Sequence, residues 1–116
     1  MKLYIPTIGS KMRLTQPWTF TFYDEYRNLT MEDSLREHGY KLKTIKREMW
    51  STDAFPMGDV TLPVLTQLTI KRIYIRTGNG EFDSITFIAK SPDGVKGRFW
   101  VKLEDANKIE MEIVEP

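Results

Sequence analysis

Apolar and polar residues alternate at a period of two along most of this chain, which predicts a mostly β domain. The cleanest run is Val95 to Leu103, where Val95, Gly97, Phe99, Val101 and Leu103 point one way and Lys96, Arg98, Trp100 and Lys102 the other. Two further strands lead into it, Leu68 to Thr77 and Phe82 to Lys90. Thr77-Gly78-Asn79-Gly80 joins those two, because Asn-Gly tolerates the positive φ of a type I′ hairpin turn. Ser91-Pro92-Asp93-Gly94 makes the second turn, with Pro pre-set for its first central position and Gly for the left-handed one. The rest of the chain is organised around this meander.

The first half is less regular. Lys2 to Ile5 reads as a short strand stopped by Pro6. Lys11 to Tyr23 alternates, with Leu14, Trp18, Phe20 and Phe22 on the core side. Pro17 cannot donate to a sheet ladder, so that strand is at an edge, bulged or split there. Asp24 to Asn28 is turn-like. Thr30 is the expected N-cap of a short helix, Met31 to His38, with Gly39 where a left-handed C-terminal residue belongs. Tyr40 to Trp50 reads as extended with a slip near Ile45, and Ser51 to Pro63 as loop broken by Pro56, Gly58 and Pro63. After a turn at Glu104 to Lys108, Ile109, Met111 and Ile113 alternate with Glu110 and Glu112 as a last half-buried strand. A meander, a short turn and a closing strand give the order of an SH3-like second half. The expectation is a single domain over residues 1–116, an antiparallel small barrel with one short helix near residues 31–38.

Composition narrows the function classes. At 116 residues the chain is one domain's worth, and its net charge of +1 points to neither nucleic acid nor membrane. Residues 41–76 carry seven Lys and Arg against three Asp and Glu, while residues 104–116 carry one against five. A basic middle and an acidic tail can pair within the fold. The absence of cysteine excludes disulfides, thiolate metal sites and cysteine nucleophiles. With a single His, no metal site is expected, and Gly78-x-Gly80 is a hairpin turn and not a phosphate loop, so no cofactor is expected either. The N-terminal residues lack a signal-peptide core and no segment is long and apolar enough to span a bilayer, so a cytoplasmic location and no membrane partner are expected.

One surface stands out. Arg72, Tyr74 and Arg76 share parity on one strand of the meander, and Arg98, Trp100 and Lys102 share it on another, with Ser84, Thr86 and Lys90 between. Trp, Tyr and Arg are the residue types enriched in protein hot spots, and the same set can neutralise phosphates and stack on bases. Low net charge favours a protein partner over a nucleic acid. The plain alternative is that Arg and Lys stems cover the open face of a half-buried sheet. A homo-oligomer joined through edge strands is a third reading. Asp24 to Asn28, with Glu37 and His38, has the parts for acid–base chemistry, but no nucleophile accompanies the His, and a turn tied down by Arg27 and Asn28 explains it better. No enzyme is expected.

The runs Val60-Thr61-Leu62-Pro63, Leu68-x-Ile70-x-Arg72-Ile73-Tyr74-Ile75-Arg76, Phe82-Asp83-Ser84-Ile85-Thr86-Phe87 and Arg98-Phe99-Trp100-Val101-Lys102-Leu103-x-Asp105-x-Asn107 resemble small uncharacterised proteins of phages and bacterial genomes. The N-terminal Ile5-Pro6 and the run from Trp18 to Asn28 resemble them too. The turn after Leu62-Pro63 departs from that pattern, with Leu65-Thr66 in place of Gly-Thr. The resemblance implies a phage or prophage accessory protein in a host cytoplasm, and no activity.

Overall fold

Pro17 divides the first long alternating run into two strands that belong to different sheets. The computed structural model describes residues 8–44, 55–74 and 83–115. In chain order these form β1 (Lys11–Leu14), β2 (Trp18–Asp24), a 3₁₀ turn (Tyr26–Asn28) running into α1 (Leu29–Glu37), β3 (Phe55–Leu62), β4 (Gln67–Tyr74), β5 (Ser84–Lys90), β6 (Lys96–Lys102), the single-turn α2 (Leu103–Ala106) and β7 (Met111–Glu115). One sheet has five strands in the order β6-β5-β4-β1-β7, and β2 and β3 form a second sheet of two. All pairings are antiparallel.

The mostly β class is therefore observed, but among the described residues the sheets do not close into a barrel. The smaller sheet covers one face of the larger. Trp18, Phe20 and Phe22 alternate inward from β2, and Phe20 stacks on Phe99 of β6 at 5.1 Å while Trp18 meets Phe87 of β5 edge-on at 5.7 Å. Met12, Leu14, Val60, Leu62, Leu68, Ile70, Ile85 and Val101 complete a dry interior. Burying each large apolar side chain contributes about 1.5–3 kcal/mol, so this core is the main source of stability.

Several expectations are corrected. Phe55–Leu62, read as loop, is a strand. Its register shifts between Phe22 and Tyr23, so Pro56 and Gly58 sit at a bulge, where a missing N–H and a φ of 129° are both accommodated. Helix α1 starts at Leu29 and not after Thr30, since the hydroxyl of Thr30 accepts the Arg98 N–H and is not a cap. The end of α1 is as expected. Gly39 has φ 86°, its N–H donates to the Arg36 carbonyl, and the Tyr40 N–H reaches back to Leu35, the paired bonds of a Schellman motif. Ile113 is 56% exposed and not half-buried, because β7 lies at the rim of the sheet. The turn at Ser91 to Gly94 forms, with Gly94 at φ 99°. The Lys2–Ile5 strand, the Thr77–Gly80 turn and residues 45–54 lie outside the described residues.

The outer edge of β6 is closed by side chains. Its backbone N–H groups at Lys96, Arg98 and Trp100 point away from β5, and donate to Ser34 Oγ (2.9 Å), Thr30 Oγ1 (3.2 Å) and Asn28 Oδ1 (3.0 Å). The 3₁₀ turn and α1 thus stand where a sixth strand would be. They lie so close that a Cβ on Gly97 would be 2.6 Å from Met31 Cα. Because that neighbour is backbone, Gly97→Ala is expected to destabilise the fold by about 1–3 kcal/mol, read as a lower urea midpoint at unchanged slope.

Residues 40–44 lie beside β3, with the Lys43 N–H on the Met57 carbonyl and the Tyr40 hydroxyl donating to the Thr61 carbonyl at 3.0 Å. Burial, and secondarily the charge of Asp93, push the Tyr40 phenol above its ordinary pKa of 10.0. A raised folded-state pKa means stability that is fully present below the unfolded value and lost as pH rises through the folded one. The urea midpoint is expected to fall as pH rises above about 10, and Tyr40→Phe is expected to flatten that decline.

Candidate interaction face on the five-stranded sheet

The sheet register decides which of the predicted residues meet. Arg72 pairs with Thr86, which pairs with Trp100; Tyr74 pairs with Ser84, which pairs with Lys102; Ile88 pairs with Arg98. Arg72, Tyr74, Arg98, Trp100 and Lys102 therefore share the face turned away from the smaller sheet. Arg76 lies outside the described residues. A bulge makes this possible. The register shifts between Ile70 and Arg72, so Ile70 and Ile73 both face the interior opposite Phe87 and Ile85, and Arg72 emerges on the outer face.

The two aromatic residues of that set are placed differently. Tyr74 is half-buried, and its hydroxyl accepts from an Arg72 Nη at 2.8 Å. Trp100 is 3% exposed. Its indole stacks on Tyr23 with centroids 5.2 Å apart, the Arg27 guanidinium lies 6.0 Å from its ring, and its Nε1–H donates to Glu25 Oε2 at 2.6 Å. The ring is enclosed by the segment that follows β2, which leaves it no room to stack on a base. Lys102 is half-buried, with Nζ 5.3 Å from the Tyr23 ring centroid.

Asp24 to Asn28, the second candidate, proves to be the lid over the first. The Glu25 carboxylate, nearly buried, is held by Arg27 Nε at 2.9 and 3.0 Å as well as by the indole. Asn28, fully buried, donates from Nδ2 to the Tyr23 carbonyl at 3.1 Å and accepts the Trp100 N–H at Oδ1. No buried side-chain polar atom in this knot lacks a hydrogen-bond partner, the condition under which a buried network rigidifies a fold. His38 lies at the far end of α1, about 13 Å along the helix axis by its rise per residue. Its Nδ1 carries the proton, since it is 2.8 Å from the Ser34 carbonyl, which only accepts. Glu25 and His38 do not converge. An open depression of about 440 Å³ beside Lys102 is lined by Asp83, Leu103, Glu104 and Asn107, charges of both signs around no nucleophile. No three His, Asp or Glu gather at metal-binding distance among the described residues.

What remains on the face is a cationic cluster around an aliphatic residue. Ile88 is 39% exposed, with Arg98 opposite it and Lys90 two residues along, opposite Lys96. None of these three cations has a carboxylate partner among the described residues. Because the N–H groups of Lys96 and Arg98 point away from β5, these are non-hydrogen-bonded pairs, whose side chains stand closest. Two lysines directly opposite destabilise each other. Sequence parity passes over Ile88, although an isoleucine in register with Ser84, Thr86 and Lys90 is the signal that finds it. At the opposite end of the sheet Arg13 Nε meets Glu112 Oε1 at 2.7 Å, so positive charge is satisfied there. Comparison with family models, curated proteins and solved structures found no match to this chain.

The knot over Trp100 carries a stability prediction. Asn28→Ala strands two backbone groups, the Trp100 N–H and the Tyr23 carbonyl, and is expected to cost about 2–4 kcal/mol. Thr30→Ala, at an exposed position, is expected to cost under about 1 kcal/mol by urea denaturation.

Proposed function

We propose that this chain is a non-enzymatic protein-binding module, and that the outer face of β5 and β6 engages an acidic, partly apolar segment of a host or self protein. The observation that carries this reading is the exposed Ile88 set among Lys90, Lys96 and Arg98, with the two lysines opposed and no carboxylate among the described residues to relieve them. An aliphatic centre with a cationic rim matches a partner that brings carboxylates around an apolar side chain. Arg72 and Lys102 extend the same face. We read the β4–β5–β6 meander followed by α2 and β7 as an open, SH3-like scaffold for the face.

Single-stranded nucleic acid is the second reading. The cations favour it, and the enclosure of Trp100 counts against it, since sequence-tolerant binding relies on exposed rings worth about 1–3 kcal/mol per stacked base. Fluorescence anisotropy with a labelled peptide of alternating Glu and Leu, run beside a labelled oligothymidylate, separates the two. The peptide is expected to bind, and a Lys96→Glu, Arg98→Glu double variant to weaken it by at least about tenfold. Lys96→Glu faces Lys90, so the variant removes a repulsion and remains folded. Tighter binding of the oligothymidylate, with a steep loss on adding salt, would transfer the assignment to nucleic acid.

A further inference from the structure

Lys90 pairs with Lys96 and Ile88 with Arg98, so these four residues are the corners of one rectangle on β5 and β6. All four are exposed. In a non-hydrogen-bonded antiparallel pair the opposed Cα atoms stand ~4.5 Å apart, and diagonal neighbours such as Lys90 and Arg98 ~7–8 Å. Three long cationic side chains therefore rise around one point, with an isoleucine at the fourth corner. Carboxylates close by in the chain do not neutralise them. Asp93, in the turn between the two lysines, accepts from the Ser91 hydroxyl, and Glu32 on α1 pairs with Arg36. Asp33 and Glu37 of α1 pair with none of the three cations among the described residues.

We infer that the segment recognised here carries a phosphorylated serine or threonine, its phosphate held between Lys90, Lys96 and Arg98 and an apolar side chain two positions along seated on Ile88. The inference rests on the assignment of this face to a protein partner. Charge and oxygen count select the phosphate. A carboxylate brings one charge and two oxygens, which engage the arginine fork or relieve the lysine pair, but not both. A phosphomonoester brings a charge of about −1.5 to −2 and three acceptor oxygens. Two of these match the planar guanidinium of Arg98, and the lysines act on the group as point charges.

Spacing places the apolar neighbour. Side chains two residues apart on an extended segment share a side and lie ~6.8 Å from each other, the same repeat that separates Lys90 from Ile88 along β5. A strand-like segment lying along β5 therefore presents its phosphate and its apolar side chain at two corners of the rectangle together. Other phosphate carriers fit less well. A nucleic-acid phosphodiester carries a single charge, and Trp100 is enclosed and offers no ring for its bases. A lipid surface rewards a broad apolar face, and this one has a single aliphatic residue, 39% exposed, at its centre.

Fluorescence anisotropy with three labelled peptides of alternating Ser and Leu tests it. One has its central serine phosphorylated, one has glutamate in that place, and one is unmodified. The phosphorylated peptide is expected to bind at least about tenfold more tightly than the glutamate peptide. Lys90→Gln keeps most of the side-chain stem and removes a like-charge contact, so the fold is retained. It is expected to weaken the phosphorylated peptide about tenfold and the glutamate peptide about threefold or less. Lys71→Gln, exposed on the β4 bulge, removes the same charge away from the rectangle and is expected to leave both affinities unchanged. Equal binding of the phosphorylated and glutamate peptides would overturn the inference and leave the protein-binding reading standing. Binding of neither would overturn both. Equal losses on Lys90→Gln and Lys71→Gln would overturn the inference by showing a diffuse effect of charge. Tighter binding to an oligothymidylate, or to phosphatidylcholine vesicles containing phosphatidic acid, than to the phosphorylated peptide would also overturn it.

Discussion

The structure depends on how the edge of β6 is closed. A strand at a sheet edge exposes a row of backbone donors, and burying it without partners costs about 1–3 kcal/mol per group. Here three side-chain oxygens, from Asn28, Thr30 and Ser34, accept those donors at two-residue intervals along β6. The spacing on the other partner is two and then four residues, which a 3₁₀ turn running into an α-helix supplies. A regular strand offers its backbone for this purpose, whereas a helix has only its side chains. The residues that look like ordinary helix-start polars are therefore the ones that hold the two halves of the chain together. Gly97 is the complementary requirement on the strand, since any side chain there would push Met31 away and lengthen all three bonds.

That closure also settles what Trp100 does. Once Asn28 is fixed to the Trp100 N–H, the preceding residues have to pass over the indole, and Glu25, Arg27 and Tyr23 fill the space around it. Two groups of residues that look like separate candidate sites in the sequence are the two sides of one buried contact. The indole N–H and the guanidinium together satisfy the Glu25 carboxylate, so a charge is held at low exposure without being left unpaired. Its partnered state suits a structural role.

Much of the fold was legible because it follows from local rules. The inward parity of Trp18, Phe20 and Phe22, the splitting at Pro17, the left-handed Gly39 and the turn at Ser91 to Gly94 each rest on a few adjacent residues. Phe55–Leu62 was not legible, because Pro56 and Gly58 are breakers by composition and acceptable only at a bulge that pairing with β2 creates. The bulge at Lys71 was half legible, since Ile70 and Ile73 conflict in parity and only a register shift reconciles them. Leu65 shows the limit from the other direction. It stands at φ 74° in the turn closed by the Thr66 N–H on the Pro63 carbonyl, a place that Gly fills without strain. The face residues were legible as a set because period two is strict over β6. That Trp100 would be covered was not, since its cover comes from more than 70 positions earlier in the chain.

The distribution of charge is a property of register rather than of composition. The sequence as a whole is nearly neutral, at +1, and simple counting suggests that the basic middle and acidic tail cancel. They do so only where the sheet lets them meet. Sheet order puts β7 beside β1, so Glu112 finds Arg13, while β5 and β6 sit at the other side of the sheet with β4 and β1 between. The acidic strand is thus three strand spacings from Lys90 on β5 and four from Lys96 and Arg98 on β6, about 14 Å and about 19 Å at the spacing of a sheet, beyond a Debye length at physiological salt. On the strand edge itself the helix supplies oxygens but none of its carboxylates pairs with these cations among the described residues. A sheet that neutralises one end and leaves the other cationic has a direction, and an opposed lysine pair at the cationic end gains most from an anion arriving from outside.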